Sequence, residues 1–153
     1  MIYSIKWWEC SHRVKELVEI RSKAIEFVLV HRLYKSDKTG EIIKKSFTML
    51  SYPPRWKYDI LRAFEAFMNA GIEYDERMND ALEIIIKKRR KNGTWPIQNK
   101  HQGKVHFDME TIGKSSRWNT LRILRVLKYF KPELYKLYGI INIGNTDNGL
   151  HKK

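Results

Sequence analysis

His101, His106, Asp108 and Glu110 form the one constellation of metal-ligating and acid–base side chains in this chain of 153 residues. Neutral imidazole and carboxylate are good ligands for zinc or iron. Steps of two along an extended segment would place His106, Asp108 and Glu110 on one side, with Val105, Phe107 and Met109 on the other. A metal site needs three or four convergent ligands and a supporting shell, and this spacing matches no known motif. His101, His106 and Asp108 are therefore the candidate ligands, and the expectation is that no metal and no other cofactor is bound. Asp108 and Glu110 are the candidate catalytic residues, as general acids. The alternative is a polar loop edge whose acids meet Arg117, Arg122 or Lys104.

A second signal is a duplicated pair, Arg55-Trp56 and Arg117-Trp118. At the starts of two helices, such pairs would present two guanidinium groups to a cavity, which suits a diphosphate or a carboxylate. Arg55, Trp56, Arg117, Trp118 and His106 are thus the expected ligand-binding residues. In the competing reading each Trp packs the core, and each Arg bonds loop carbonyls, Asp59 or Asp108.

Charge adds a third possibility. The formal net charge is +13, and residues 87–104 hold seven Lys or Arg and no acid. Such a balance favours encounter with acidic partners, although basic side chains also serve simply to solvate helices. Lys87, Lys88, Arg90, Lys91, Lys100 and Lys104 would be the phosphate contacts, with Trp95 and His101 as stacking rings. No recognised nucleic-acid motif is present, and packing of the loop against helices is the favoured role for Trp95. Cys10 is the sole cysteine, so no internal disulfide can form, and a reducing, cytoplasmic setting is expected. Residues 1–12 lack a long apolar stretch of the secretory kind, and no uncharged run approaches the roughly 18 residues of a membrane span.

The elements that must position these residues are helical. Residues 24–32 read against 81–89, an offset of 57, and Ile60-Leu61-Arg62 reads against Ile123-Leu124-Arg125, an offset of 63. The Arg-Trp pairs lie 62 apart, from Arg55 to Arg117. Motifs recurring in one order at nearly one interval imply a repeated pair of helices that buries its apolar faces by stacking. Apolar periodicity predicts helices over 13 to about 34, 55–69 and 117–130, and from Asp75 or Glu76 to the basic run at 87–91. Pro53-Pro54 would start the second helix, and Gly71 would stop it. Ser115 or Ser116 caps the fourth, whose apolar face is Trp118, Leu121, Leu124 and Leu127, with Arg122, Arg125 and Lys128 on another. A short fifth helix would run over 132–138, closed by Gly139. The expected fold class is all-α, in two antiparallel helical hairpins of about 13–70 and 75–130. An N-terminal arm, 1–12, and a flexible tail, 139–153, flank the repeat domain of 13–138.

Arg89-x-x-x-Gly93-x-Trp95 resembles the QW-type repeat of squalene–hopene cyclases and protein prenyltransferase β subunits, with Arg89 in place of its Gln and Asn92 in place of its Asp. Further segments resemble uncharacterised squalene-cyclase-like and prenyltransferase-like proteins. They are His31-Arg32-Leu33-Tyr34-Lys35-Ser36, Pro53-Pro54-Arg55-Trp56-Lys57-Tyr58-Asp59, Gly103-Lys104-Val105-His106-Phe107-Asp108-Met109-Glu110 and Ser116-Arg117-Trp118-Asn119-Thr120-Leu121-Arg122. The resemblance spans about 26–130 and implies the C-terminal part of an α/α toroid, a ring of helical hairpins. Neither the Asp-x-Asp-Asp acid motif nor the Asp-Asp-x-x-Asp magnesium motif of such enzymes occurs, and no matching zinc-ligand motif surrounds Cys10. The expectation is a non-catalytic partial toroid with a groove for an amphipathic anionic ligand or a protein partner. The alternatives are a related enzyme using Asp108 and Glu110, and a basic nucleic-acid-binding domain. Two hairpins cannot close a ring, so a homodimer or a separately encoded toroid half would cover the face bearing Trp56, Phe64, Trp118 and Leu121. Otherwise the tail and the first twelve residues, with Trp7 and Trp8, fold back over it.

Overall fold

The computed structural model describes residues 15–100, 103 and 105–143. The expectations for the N-terminal arm, for His101 and Lys104, and for the tail beyond 143 lie outside the described residues. Within them the chain is mostly helical: α1 (Lys15–Val30), α2 (Ile60–Asn69), α3 (Asn79–Lys87), α4 (Arg117–Phe130) and α5 (Pro132–Ile143). Short 3-10 turns occupy Lys45–Thr48 and Glu76–Met78, the latter running into α3. Two short strands, β1 (Trp95–Pro96) and β2 (Ser115–Ser116), pair antiparallel, with Trp95 opposite Ser116 and Pro96 opposite Ser115. This ladder corrects the all-α expectation. Among the described residues no helix is long and apolar enough to cross a membrane.

Local chemistry sets most boundaries. The Ser116 side chain accepts from the Asn119 amide at 2.9 Å and caps α4, satisfying one of the donors a helix start leaves free. Asp75 caps the turn before α3 by accepting from the Arg77 amide at 2.8 Å. Gly71, at φ 70, closes α2 in the left-handed region that a side chain would make costly.

Four predicted features are corrected. α1 stops at Val30, because Arg32 and Leu33 adopt φ 44 and 69 and the Leu33 amide turns back to the Val28 carbonyl at 2.9 Å. α2 starts at Ile60 instead of Arg55: Asp59, not the proline pair, is its cap. Residues 105–110 form no strand, and Val105, Phe107 and Met109 are exposed. α5 continues through Gly139 to Ile143.

In the core, α2 packs against α4 and α4 against α5. The Phe64 and Phe130 rings meet edge to face at 5.6 Å. The duplication survives as a core register: Ile60, Ala63, Phe64 and Phe67 are buried, and so are Ile123, Val126, Leu127 and Phe130, each 63 residues on. The helix starts, residues 60 and 117, are only 57 apart, so α4 extends six residues further at its N-terminal end. The predicted α3 face, Met78, Ala81, Leu82 and Ile85, is buried. The predicted α4 face is buried only in part: Leu127 is in the core and Leu124 packs against it, but Trp118 and Leu121 lie outside, and Asn119, Arg122, Ile123, Val126 and Phe130 complete the inward face. Trp95 is fully buried and donates through Nε1 to the Ile85 carbonyl at 2.7 Å, the packing role favoured for it.

Candidate functional site

The site is built on the strip that leads into α2. Leu50 and Gln98 hold the strip in place: the Gln98 amide donates to the Leu50 carbonyl at 2.8 Å, and the Leu50 amide to Gln98 Oε1 at 3.1 Å. The Tyr52 amide donates to the Asn99 carbonyl at 3.3 Å. A cis Tyr52–Pro53 bond follows. The chain then turns, with the Lys57 amide on the Pro54 carbonyl at 3.1 Å. At the tip Arg55 has φ 43, a left-handed conformation in which a branched Cα crowds the following carbonyl. Arg62, in the first turn of α2, donates to the Arg55 carbonyl and to that of Lys57. Strained backbone of this kind concentrates at ligand sites.

Across from this turn lies the loop 105–110. Together they enclose a cleft of about 180 Å³ lined by Tyr52, Pro53, Arg55, Lys100 and residues 105–110. Four of the predicted residues, Arg55, His106, Asp108 and Glu110, thus share one cleft. The loop is tied down by Lys100 to Asp108 at 2.8 Å and by Glu110 Oε1, which accepts from the Arg117 amide at 2.9 Å. A carboxylate there suits the positive end of α4. Glu110 Oε2 is buried with no hydrogen-bond partner among the described residues. Trp118 stacks on Tyr52 with centroids 5.3 Å apart and planes 5° off parallel. Burial raises the pKa of the Tyr52 hydroxyl; Arg122 pulls it down and Glu110 pushes it up. Trp56 belongs elsewhere. It is 75% exposed and lines a separate hollow with Lys44, Lys57, Tyr58 and Asn99.

Behind the cleft a buried polar network joins α2 to α4. Arg122 forks onto Glu65, Nε to Oε1 at 2.9 Å and Nη2 to Oε2 at 2.7 Å. Its Nη1 donates to the Ser51 carbonyl at 3.1 Å and to Asn119 Oδ1 at 3.2 Å. Asp59 is fully buried and accepts from the Arg62 amide at 2.8 Å. Burial raises its pKa, opposed by that amide and by Arg122. Sequence reasoning missed this network. The one signal was spacing: 119, 122, 123, 126, 127 and 130 follow helical periodicity only when Asn119 and Arg122 are allowed inside.

Among the described residues no three His, Cys, Asp or Glu side chains converge in the manner of a metal site. Asp108 is instead paired with Lys100. The basic stretch is drawn into internal contacts. Lys87 pairs with Glu83 at 2.9 Å. Lys88 donates to the Thr48 carbonyl at 2.7 Å and Gln98 Oε1 at 2.6 Å, and burial lowers its pKa. Arg89 lies over the Tyr138 ring at 4.8 Å, and Arg90 donates to the Gly113 carbonyl. Lys91 is exposed. Compared with family models, with curated proteins and with solved structures, the chain matches none.

Proposed function

We propose that the protein is a binding module, built as a partial helical toroid in a reducing, cytoplasmic setting, that takes a small amphipathic anion into the cleft between Arg55 and the 105–110 loop. The observation that carries this reading is the Arg55 guanidinium. It has no hydrogen-bond or ion-pair partner among the described residues, yet its backbone is held in a left-handed turn beside an apolar wall of Tyr52, Pro53, Val105, Phe107 and Met109. Of the cleft's acids, Asp108 is engaged by Lys100, and Glu110 is engaged through Oε1 by the Arg117 amide. Arg55 and His106 are left to meet an anionic head. At about 180 Å³ the cleft is smaller than the roughly 300–1,000 Å³ of drug-sized sites, so it suits a head group and a short chain.

Calorimetric titration with octyl phosphate tests this. Saturable binding is expected, weakened by about tenfold in Arg55→Gln, the size of one charge-assisted hydrogen bond. Equal affinity in the variant would remove the reading. Turnover of a prenyl diphosphate that disappears in Asp108→Asn and Glu110→Gln would put the enzymatic alternative in its place.

A second reading concerns assembly. The face proposed from sequence included Phe64, which is fully buried. The larger exposed apolar surface is on α1: Leu17, Val18, Ile20, Phe27 and Val30. The charges of α1 balance, Lys15, Arg21 and Lys23 against Glu16, Glu19 and Glu26, in a chain of net charge +13. Two copies therefore meet there with less repulsion than elsewhere, and a homodimer through α1 is the arrangement we favour. Light scattering should give a dimer that Phe27→Glu converts to monomer; a wild-type monomer at high concentration excludes it.

A further inference from the structure

The hollow that holds Trp56 is chemically unlike the cleft. The strip around Ser51 to Trp56 is a wall common to both: Tyr52, Arg55 and Lys100 line the cleft, whereas their neighbours Ser51, Trp56 and Asn99 line the hollow. The hollow measures about 390 Å³, within the range of small-molecule sites. Among the described residues that line it are two lysines, Lys44 and Lys57, and no carboxylate. Its tyrosine adds no negative charge: Tyr58 donates its hydroxyl to the Leu33 carbonyl at 2.7 Å, and burial pushes its pKa up to about 12. Asp59 next in sequence is fully buried against α2 and does not line the hollow. The indole of Trp56 is 75% exposed, with the Lys57 ammonium 5.9 Å from its ring. The Phe47 and Tyr58 rings, edge to face at 4.9 Å, form an apolar floor.

A flat exposed ring beside two cations, with hydroxyl and amide groups at Ser46 and Asn99, matches a ligand that is planar and aromatic at one end and anionic at the other. We propose that this hollow binds a nucleotide, its base stacked on Trp56 and its phosphate met by Lys44 and Lys57. The site goes beyond the cleft and does not depend on it. It also differs from the basic stretch at 87–104, most of whose cations are engaged internally. The same chemistry could come from a free nucleotide or from one nucleotide within a single strand.

The test is equilibrium titration of the full chain with adenosine 5′-monophosphate, adenosine, inorganic phosphate and a deoxyadenylate hexamer, each at low and moderate salt. The monophosphate should bind more tightly than adenosine or phosphate alone. Trp56→Ala should weaken it by roughly tenfold, and Trp56→Phe should restore most of that loss, because any aromatic face supports stacking. Lys44→Gln and Lys57→Gln should each weaken the monophosphate and flatten its salt dependence, while leaving the weaker adenosine binding in place. A hexamer that binds tighter than the monophosphate with a steeper salt slope identifies a strand as the source; equal or weaker binding identifies the free nucleotide. Octyl phosphate added as competitor should not displace the monophosphate. Displacement by octyl phosphate, equal affinity for phosphate and monophosphate, or unchanged binding in Trp56→Ala overturns the proposal.

Discussion

Pro54-Arg55-Trp56 and Ser116-Arg117-Trp118 carry the same pair into opposite surroundings. Arg55 sits four residues ahead of the α2 cap, Asp59, in a left-handed turn, and Trp56 is 75% exposed. Arg117 directly follows the α4 cap, Ser116, and Trp118 lies flat on Tyr52. The core registers of the two helices still agree at an offset of 63. The difference therefore lies in where each helix begins. At Asp59 the first helix stops short; its counterpart 63 residues on, Arg122, is already within α4 and buried. A six-residue extension turns a strained surface turn into a helix end that braces the cleft.

The largest test of this comparison is at Arg122. Arg122→Ala leaves Glu65 uncompensated between α2 and α4 and should cost about 3–5 kcal/mol in urea unfolding. Replacing both residues by Met and Leu should recover most of the loss; a cost below about 1 kcal/mol for Arg122→Ala would show that the network does not join the helices.

The caps come next. Ser116→Ala and Asp59→Ala should each cost roughly 1–2 kcal/mol, since each removes the acceptor of one helix-start amide. Only the second carries a pH signature. Burial raises the Asp59 pKa, so its stabilising contribution is complete below the ordinary Asp value of 3.8 and is lost as pH rises through the raised folded value. Asp80 runs the other way. Lys35, and then Arg32, lower its pKa, so its contribution is present above 3.8 and is lost as pH falls through the depressed folded value. Unfolding followed from pH 2 to 7 in Asp59→Asn and Asp80→Asn should show slopes that change in opposite senses.

Smaller effects separate the tryptophans. Trp118→Ala loses the stack on Tyr52 and should cost about 1 kcal/mol. Trp56→Ala should stay within about 0.5 kcal/mol, as exposed substitutions do. The arginines are expected to differ in sign. Arg55→Gly relieves the left-handed strain and should stabilise by up to about 1 kcal/mol. Arg117→Gly weakens the first turn of α4 and should destabilise by a few tenths, about 0.5 kcal/mol at most. Thermal melts of the two variants shifting in the same direction would mean that the turn at Arg55 is not strained.

Where a short stretch contains its own signals, sequence and structure agree. α4 begins and ends where a serine cap and helical periodicity placed it, and the α3 face is the predicted one. Asp59 standing before Ile60 also marks the start of α2, a local signal that a start placed at Pro53-Pro54 passes over. The site residues were named singly, and nothing local joined Arg55 to a loop some fifty residues away. Arg122 was assigned outward on its charge, because the partner that makes burial tolerable, Glu65, lies on another helix.

By itself the sequence determined the periodic elements, their caps and the duplicated core register, since each depends on side chains within a few turns of one another. Tertiary structure alone decided which cations stay engaged, which aromatic rings face water and which loops share a cleft. Those outcomes depend on groups distant along the chain, and burial makes each charge costly until such a partner arrives.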